Sequence, residues 1–169
     1  MRHPLLSGLA ALALLLVPER AAAQWSARLA LEAPVWVETP SRTYNISQTF
    51  QPTVDVLGSF FPWDAVSLDL ELRVGIAATG GYARQRLQIG PGLTVDVPTF
   101  PLYGRVSFPV QIEDGTVLFG RVGGGLKVMD WGFFRVYLEL TVDAALAGEG
   151  VSAFDRFAIN AGIGVWFRL

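Results

Sequence analysis

Cysteine is absent from the 169 residues, so neither a disulfide framework nor a thiolate metal site can be built. Lysine occurs once, as Lys127, and every other cation is arginine; with a net charge of −2 and no Lys/Arg run, there is no basic footprint for nucleic acid. Histidine occurs once, as His3. Beyond it there is no general base for a Ser–His nucleophile and no imidazole ligand for a transition metal. Charged residues make up 17% of the chain and hydrophobic ones 51%. Outside the N-terminus, no stretch approaches the ~18 consecutive apolar residues of a membrane-spanning helix. The apolar content must therefore be spread along the chain.

The N-terminus is a separate matter. Arg2 opens a short basic start, Leu5 to Val17 form an apolar core, Pro18 breaks it, and Ala21-Ala22-Ala23 supply an A-x-A cleavage site. Residues 1–23 are predicted to be a secretory signal peptide, too short in its apolar core to span a membrane. Residues 24–169 are then one exported domain.

In "VSLDLELRVGIA", Val66 to Ala77, the even positions from Val66 to Ile76 are all aliphatic, and Ser67, Asp69, Glu71, Arg73 and Gly75 lie between them. On a helix Leu68, Leu70 and Leu72 would scatter around the axis; on a strand they share one face. Seven further runs alternate in the same way: Trp25–Val37, Phe50–Phe60, Leu87–Val97, Leu102–Ile112, Leu118–Val128, Phe134–Leu146 and Phe157–Leu169, with 118–128 the least regular. On the apolar parity the only departures from aliphatic or aromatic residues are Gly58, Gly104, Gly120, Gly124, Pro52 and Pro91. The opposite faces hold Arg28, Arg73, Arg86, Arg105, Arg121, Lys127, Arg135 and Arg168. Facing them are Glu32, Asp55, Asp69, Glu71, Asp96, Glu113, Glu139 and Asp143, so cations and anions are equal in number.

Two closed architectures use such strands, one the inside-out of the other. A soluble lipocalin-like barrel puts the apolar rows around an apolar ligand and the charges in water. A membrane barrel puts the apolar rows in lipid and the charges in a narrow interior. Three features favour the membrane. The polar faces are thinly charged and rich in small residues (Gly75, Gly90, Gly92, Gly123, Gly125, Gly162, Gly164). Eight-stranded interiors are filled by side chains, so glycine beside arginine, Tyr103 or Tyr137 is sensible packing there. Aromatic residues also gather at strand ends as an interfacial girdle. Trp25, Phe60, Phe61, Trp63, Phe100, Trp131, Phe133, Phe134 and Phe167 mark one rim, and Tyr44, Phe50, Tyr82, Phe154 and Phe157 the other. The predicted fold is all-β: an eight-stranded antiparallel up-and-down transmembrane barrel. Closure is required, because an unpaired sheet edge in hydrocarbon strands N–H and C=O groups at several kcal/mol each. "FPWDA", "PTFP" and "MDWG" read as tight turns; "ETPSRTYNISQT", "TGGYARQR" and "AGEGVSAFDR" as longer loops, with "EDGT" short. Both termini then lie at the periplasmic end.

The whole pattern resembles the small outer-membrane β-barrel proteins of Gram-negative bacteria, of the OmpA/OmpX type. The most specific part is "FAINAGIGVWFRL", where Ile163, Val165, Phe167 and Leu169 are similar to the terminal strand read by the barrel-assembly machinery. That family usually ends in phenylalanine, and this chain ends in Leu169. The resemblance implies outer-membrane localisation, contact with outer-membrane lipid and lipopolysaccharide, and loops open to an external partner. It implies no cofactor. Small outer-membrane barrels that are enzymes rely on histidine, which residues 24–169 lack, so a non-enzymatic role in envelope structure or surface interaction is expected.

The candidate site residues are a lumen network of Arg28, Glu32, Asp55, Asp69, Glu71, Arg73, Asp96, Arg105, Arg121, Lys127, Arg135, Glu139, Asp143 and Arg168. Asp69 and Glu71 could suggest acid/base work, but buried charges survive only if paired. Pairing with Arg73 and with cations on neighbouring strands is the expectation, and a turn centred near Trp63 would set Asp55 opposite Glu71. "FGRVGGGLK" fails as a phosphate loop, because Val128 rather than Ser or Thr follows Lys127; its glycines are expected to admit bulky neighbours such as Tyr137. "GPGL" at Gly90–Leu93 reads as a bulge or bend around Pro91. Glu113, Asp114 and Glu149 are too sparse for calcium.

Overall fold

The computed structural model describes residues 24–45, 53–63, 65–75, 87–112 and 115–169. Residues 1–23, the predicted signal peptide, lie outside these, as do Phe50, Tyr82, Arg86, Glu113 and Asp114; Trp63 is described in its backbone alone.

Ten strands form one sheet: β1 Gln24–Thr39, β2 Arg42–Asn45, β3 Thr53–Trp63, β4 Val66–Gly75, β5 Leu87–Asp96, β6 Leu102–Ser107, β7 Val110–Gln111, β8 Val117–Asp130, β9 Phe134–Gly148 and β10 Phe157–Arg168. Every neighbouring pair is antiparallel, and β10 pairs back onto β1 from Ser26↔Arg168 to Glu38↔Phe157, closing the sheet. The ten strands make eight staves. β2 stands above β3 against the upper part of β1, and β7 continues β6 between β5 and β8. The molecule is thus a closed eight-stranded antiparallel barrel. The ten residues of β4, at about 3.3 Å each and tilted by about 40°, cover about 25 Å along the axis, the height of an apolar belt in such barrels.

β4 shows the alternation plainly. Leu68, Leu70, Leu72 and Val74 are exposed on the outer wall, while Ser67, Asp69, Glu71 and Arg73 are buried inside. Both chain termini of the barrel and the turns β3–β4, β5–β6 and β8–β9 share one end, which we call the turn end; the opposite end is the loop end.

Several local readings of the sequence need correction. Val37 does not stay in the outward row: a register shift between Pro34 and Trp36 turns Trp36 outward and buries Val37. Asp55 stands opposite Arg73, and Leu57 stands opposite Glu71. The cause is the position of the turn: it closes beyond Trp63, which pairs with Val66, so the β3–β4 register is displaced, and the extra residue between Phe60 and Trp63 takes back part of that displacement. "GPGL" is not a bulge. β5 runs in unbroken register against β4 through Leu70↔Pro91, and the pairings Gly92↔Ser107 and Ile89↔Val110 keep one register across the β6–β7 gap. Pro91 and Pro109 each lack an N–H, so the ladder is interrupted there without slipping. Gly90 is needed at that gap: a Cβ on it would lie 2.3 Å from the carbonyl oxygen of Phe108.

Candidate functional site: the barrel interior

Among the described residues ten charged side chains are buried inside the barrel, four arginines (Arg28, Arg73, Arg105, Arg121) and six carboxylates (Glu32, Asp55, Asp69, Glu71, Glu139, Asp143). Each sits on the inward parity of its strand, so placement follows from the pleat alone. Their pairing does not run along strands. Arg121 on β8 reaches across to Glu71 on β4 and holds Asp143 on β9, with its Nε 2.6 Å from Oδ1. A second nitrogen of Arg121 donates to Gln88 on β5 at 2.9 Å. Arg105 on β6 meets Asp55 at 3.2 Å, Glu71 at 3.1 Å and Glu139 at 3.2 Å, which come from three different strands. Arg73 pairs with Glu32 and, at 3.2 Å, with Asp143. Arg73 therefore does not serve its strand-mates Asp69 and Glu71: i and i+2 side chains on one strand run parallel, and their heads meet partners across the lumen first.

Asp69 belongs to a separate layer nearer the turn end. It pairs with Arg28 at 3.3 Å and accepts hydrogen bonds from Ser67 Oγ at 2.9 Å and Thr94 Oγ1 at 2.5 Å. The Arg28 guanidinium lies over the Trp166 ring at 4.2 Å, and Lys127 and Arg135 approach the same ring at 5.3 and 5.8 Å. Trp166 in turn donates its Nε1–H to Ser26 at 2.8 Å. Tyr103 and Tyr137 pack edge-on at 5.7 Å, and Tyr103 donates to Glu139. Glycine makes room for both rings. A Cβ on Gly125 would lie 2.4 Å from the Tyr103 ring, and one on Gly164 would lie 2.5 Å from that of Tyr137. In "FGRVGGGLK" the ring admitted is thus Tyr103, while the glycine that admits Tyr137 lies on β10.

Asp96, Lys127 and Arg135 are half-buried at the turn-end mouth, with Lys127 Nζ 2.8 Å from Asp96 and Arg135 Nε 2.6 Å from the exposed Asp130. Arg168 lies on the inward parity but beyond Trp166, and it is exposed. Positive charge is therefore concentrated at the mouth and negative charge in the middle, and cations equal anions only over the full length. At the loop end the interior changes character again: Val117, Phe119 and Ala145 are buried together, with Val151 packed against them. Sequence reasoning passed over this apolar layer, as it did Thr94, Ser107, Gln88, Asn160 and Trp166, although all lie on the inward parity that was readable. Among the described residues no group of three or more acidic side chains could hold a metal ion.

Outside, Trp25, Phe100, Trp131, Phe133 and Phe167 are exposed at the turn end, joined by Phe60 and Phe134. Trp131 stacks on Phe134 at 4.6 Å and Trp25 contacts Phe60 at 5.1 Å. Ile163, Phe167 and Leu169 are exposed along β10, with Val165 between them on the same outward row.

No protein-family model matches the chain, and no curated protein matches it. Among solved structures it is similar to Neisserial surface protein A, with a TM-score of 0.54 and 7% identity over 87% of this chain and 97% of that one. What the two share at that identity is the fold: the closed eight-stranded antiparallel barrel.

Proposed function

We propose that the chain is an integral outer-membrane protein, non-enzymatic, whose barrel is a sealed, ion-paired pillar in the envelope and whose loops face the exterior. The observation that supports this reading is the inverted burial. Leu68, Leu70, Val122 and Leu140 are exposed on the outer wall, whereas Arg28, Arg121, Asp55 and Glu71 are at most 1% exposed inside it. In water that arrangement would waste a large apolar area and desolvate ten charges; in hydrocarbon both features are required. The soluble lipocalin-like alternative needs an apolar lumen, and the middle of this lumen is ionic. The aromatic rim at the turn end suits the periplasmic interface, and the outward row of β10 suits recognition by the barrel-assembly machinery. Lipopolysaccharide is the partner expected at the loop end.

The test is gel mobility of the protein from a washed outer-membrane fraction, unboiled and boiled. A folded lipid-embedded barrel runs faster unboiled and shifts on heating. Release with the soluble periplasmic fraction, without any shift, would overturn the reading.

A further inference from the structure

At the loop end of the β1–β10 seam, a groove of about 510 Å³ opens between the end of β1 and the β9–β10 loop, lined by Glu38, Thr39, Pro40, Phe154, Asp155 and Phe157. That volume falls within the range of small-molecule sites, about 300–1,000 Å³. Its chemistry is two aromatic rings and a proline beside two carboxylates, and among the described residues that line it none is cationic.

The groove is built into ordered backbone. Glu38 stands opposite Phe157 in the β1–β10 ladder and opposite Thr43 in the β1–β2 ladder, and it is exposed. Phe154 adopts φ 65°, a left-handed conformation that non-glycine residues rarely take. It is held there by its N–H donating to Ala145 O at 2.7 Å, with Asp155 Oδ2 accepting from Ser152 N–H at 2.8 Å just beyond. The result is a phenylalanine ring 71% exposed, displayed beside two acids instead of buried. Below the groove, Trp36 and Ile159 continue the outward apolar row as direct cross-strand neighbours.

We propose that this groove binds an organic ammonium cation carrying an apolar tail. The aromatic faces and carboxylates take the head, as ring quadrupoles and nearby anions do for quaternary ammonium groups, and the tail lies down the outer wall over Trp36 and Ile159. A metal ion holds its hydration shell too tightly to trade it for the faces of two rings, which a weakly hydrated organic ammonium does readily. An anionic amphiphile, lipopolysaccharide included, would meet Glu38 and Asp155 with like charge, so lipopolysaccharide is expected on other parts of the loop-end rim and not in this groove.

The head-group site does not depend on the membrane assignment, so it is tested with a short soluble probe. The purified barrel, in a maltoside detergent free of choline headgroups, is titrated with hexyltrimethylammonium and, separately, with hexanesulfonate, while backbone amide resonances are followed. Saturable shifts confined to Glu38, Phe154, Asp155 and their neighbours are expected with the ammonium and not with the sulfonate. Glu38→Gln and Phe154→Leu should each weaken binding about fivefold to tenfold, with the unboiled gel mobility unchanged. Equal binding of both probes, no saturable shift, or affinity unmoved by either substitution would each overturn the proposal. Gel mobility reads the folded barrel separately, so a failure here is distinguishable from a failure of the membrane reading.

Discussion

The barrel makes the same ionic contacts in two places and does not get the same thing from them. At the middle, Arg121 is fully buried and shared among Glu71, Asp143 and Gln88 on three strands. At the turn-end mouth, Lys127 and Arg135 meet Asp96 and Asp130 with comparable geometry, Arg135 to Asp130 at 2.6 Å, but the Asp130 side chain is 48% exposed. Distance is therefore a poor guide to worth. In the middle, removing Arg121 leaves Glu71 to Arg105 and Asp143 to Arg73, both carboxylates still buried and short of a partner that water cannot replace. At the exposed Asp130, water and salt replace whatever is lost, and the Lys127–Asp96 pair, 11% and 15% exposed, lies between the two cases.

The sharpest way to break that comparison is a matched pair of charge deletions. Arg121→Met should cost about 3–5 kcal/mol of folding stability, because Glu71 and Asp143 remain buried and lose a shared guanidinium. Lys127→Met should cost less, about 1–2 kcal/mol, because Asp96 keeps Arg135 at 3.9 Å and the pair lies at the mouth. Urea unfolding of the barrel in lipid vesicles reads both. Equal losses would mean that the interior is wet enough to screen its charges, and the sealed pillar would be wrong.

This difference also marks how far the sequence could be read. Period-two alternation placed Leu68, Leu70 and Leu72 on one wall and Asp69, Glu71 and Arg73 on the other, because the pleat needs no tertiary information. Strand number followed from counting the alternating runs, and closure was expected from the cost of an open edge in lipid. The partners did not follow. Glu71 finds Arg105 and Arg121, which lie in later staves, and that depends on barrel diameter and stagger, which no local pattern states. Val37 and Asp55 were misplaced for smaller reasons: one extra residue at Pro34–Trp36 slips the register of β1, and the β3–β4 turn closes beyond Trp63, and neither has a sequence signature strong enough to count on. Whether Arg168 is sealed or open was also illegible, since parity gives the face and says nothing about depth.

A second contrast lies among the glycines, with an intermediate expected effect. Gly125 faces inward against the Tyr103 ring, while a Cβ on the outward Gly58 would meet nothing within 4 Å. Gly125→Ala should force Tyr103 off Glu139 and cost about 1–3 kcal/mol, the range for overpacking a filled interior. Gly58→Ala should change stability by no more than about 0.5 kcal/mol. Thermal unfolding of the two variants, followed by the loss of the unboiled gel form, distinguishes them. If Gly125→Ala were silent, the glycines of "FGRVGGGLK" would not be there to admit a ring.

The smallest effect is expected at Asp130, the exposed last residue of β8 at the turn-end rim, and its sign can be worked out. Gly132 N–H donates to Oδ1 at 2.9 Å and Arg135 Nε to Oδ2 at 2.6 Å, and these hold the carboxyl below its usual range, the backbone bond foremost. A group whose folded value is depressed contributes stability that is present above its unfolded value, about 3.9, and is lost as pH falls through the lower folded one. Asp130→Asn keeps an acceptor for Gly132 and removes only the charge. At neutral pH the variant should therefore be less stable than the parent by under about 1 kcal/mol. The gap should close below the carboxylate range and shrink in high salt, since the Debye length falls to about 3 Å at 1 M. A deficit that persisted at low pH would have to come from the shape of the turn. In that case the mouth would be held by geometry rather than charge, and its likeness to the buried middle would end with the residue types.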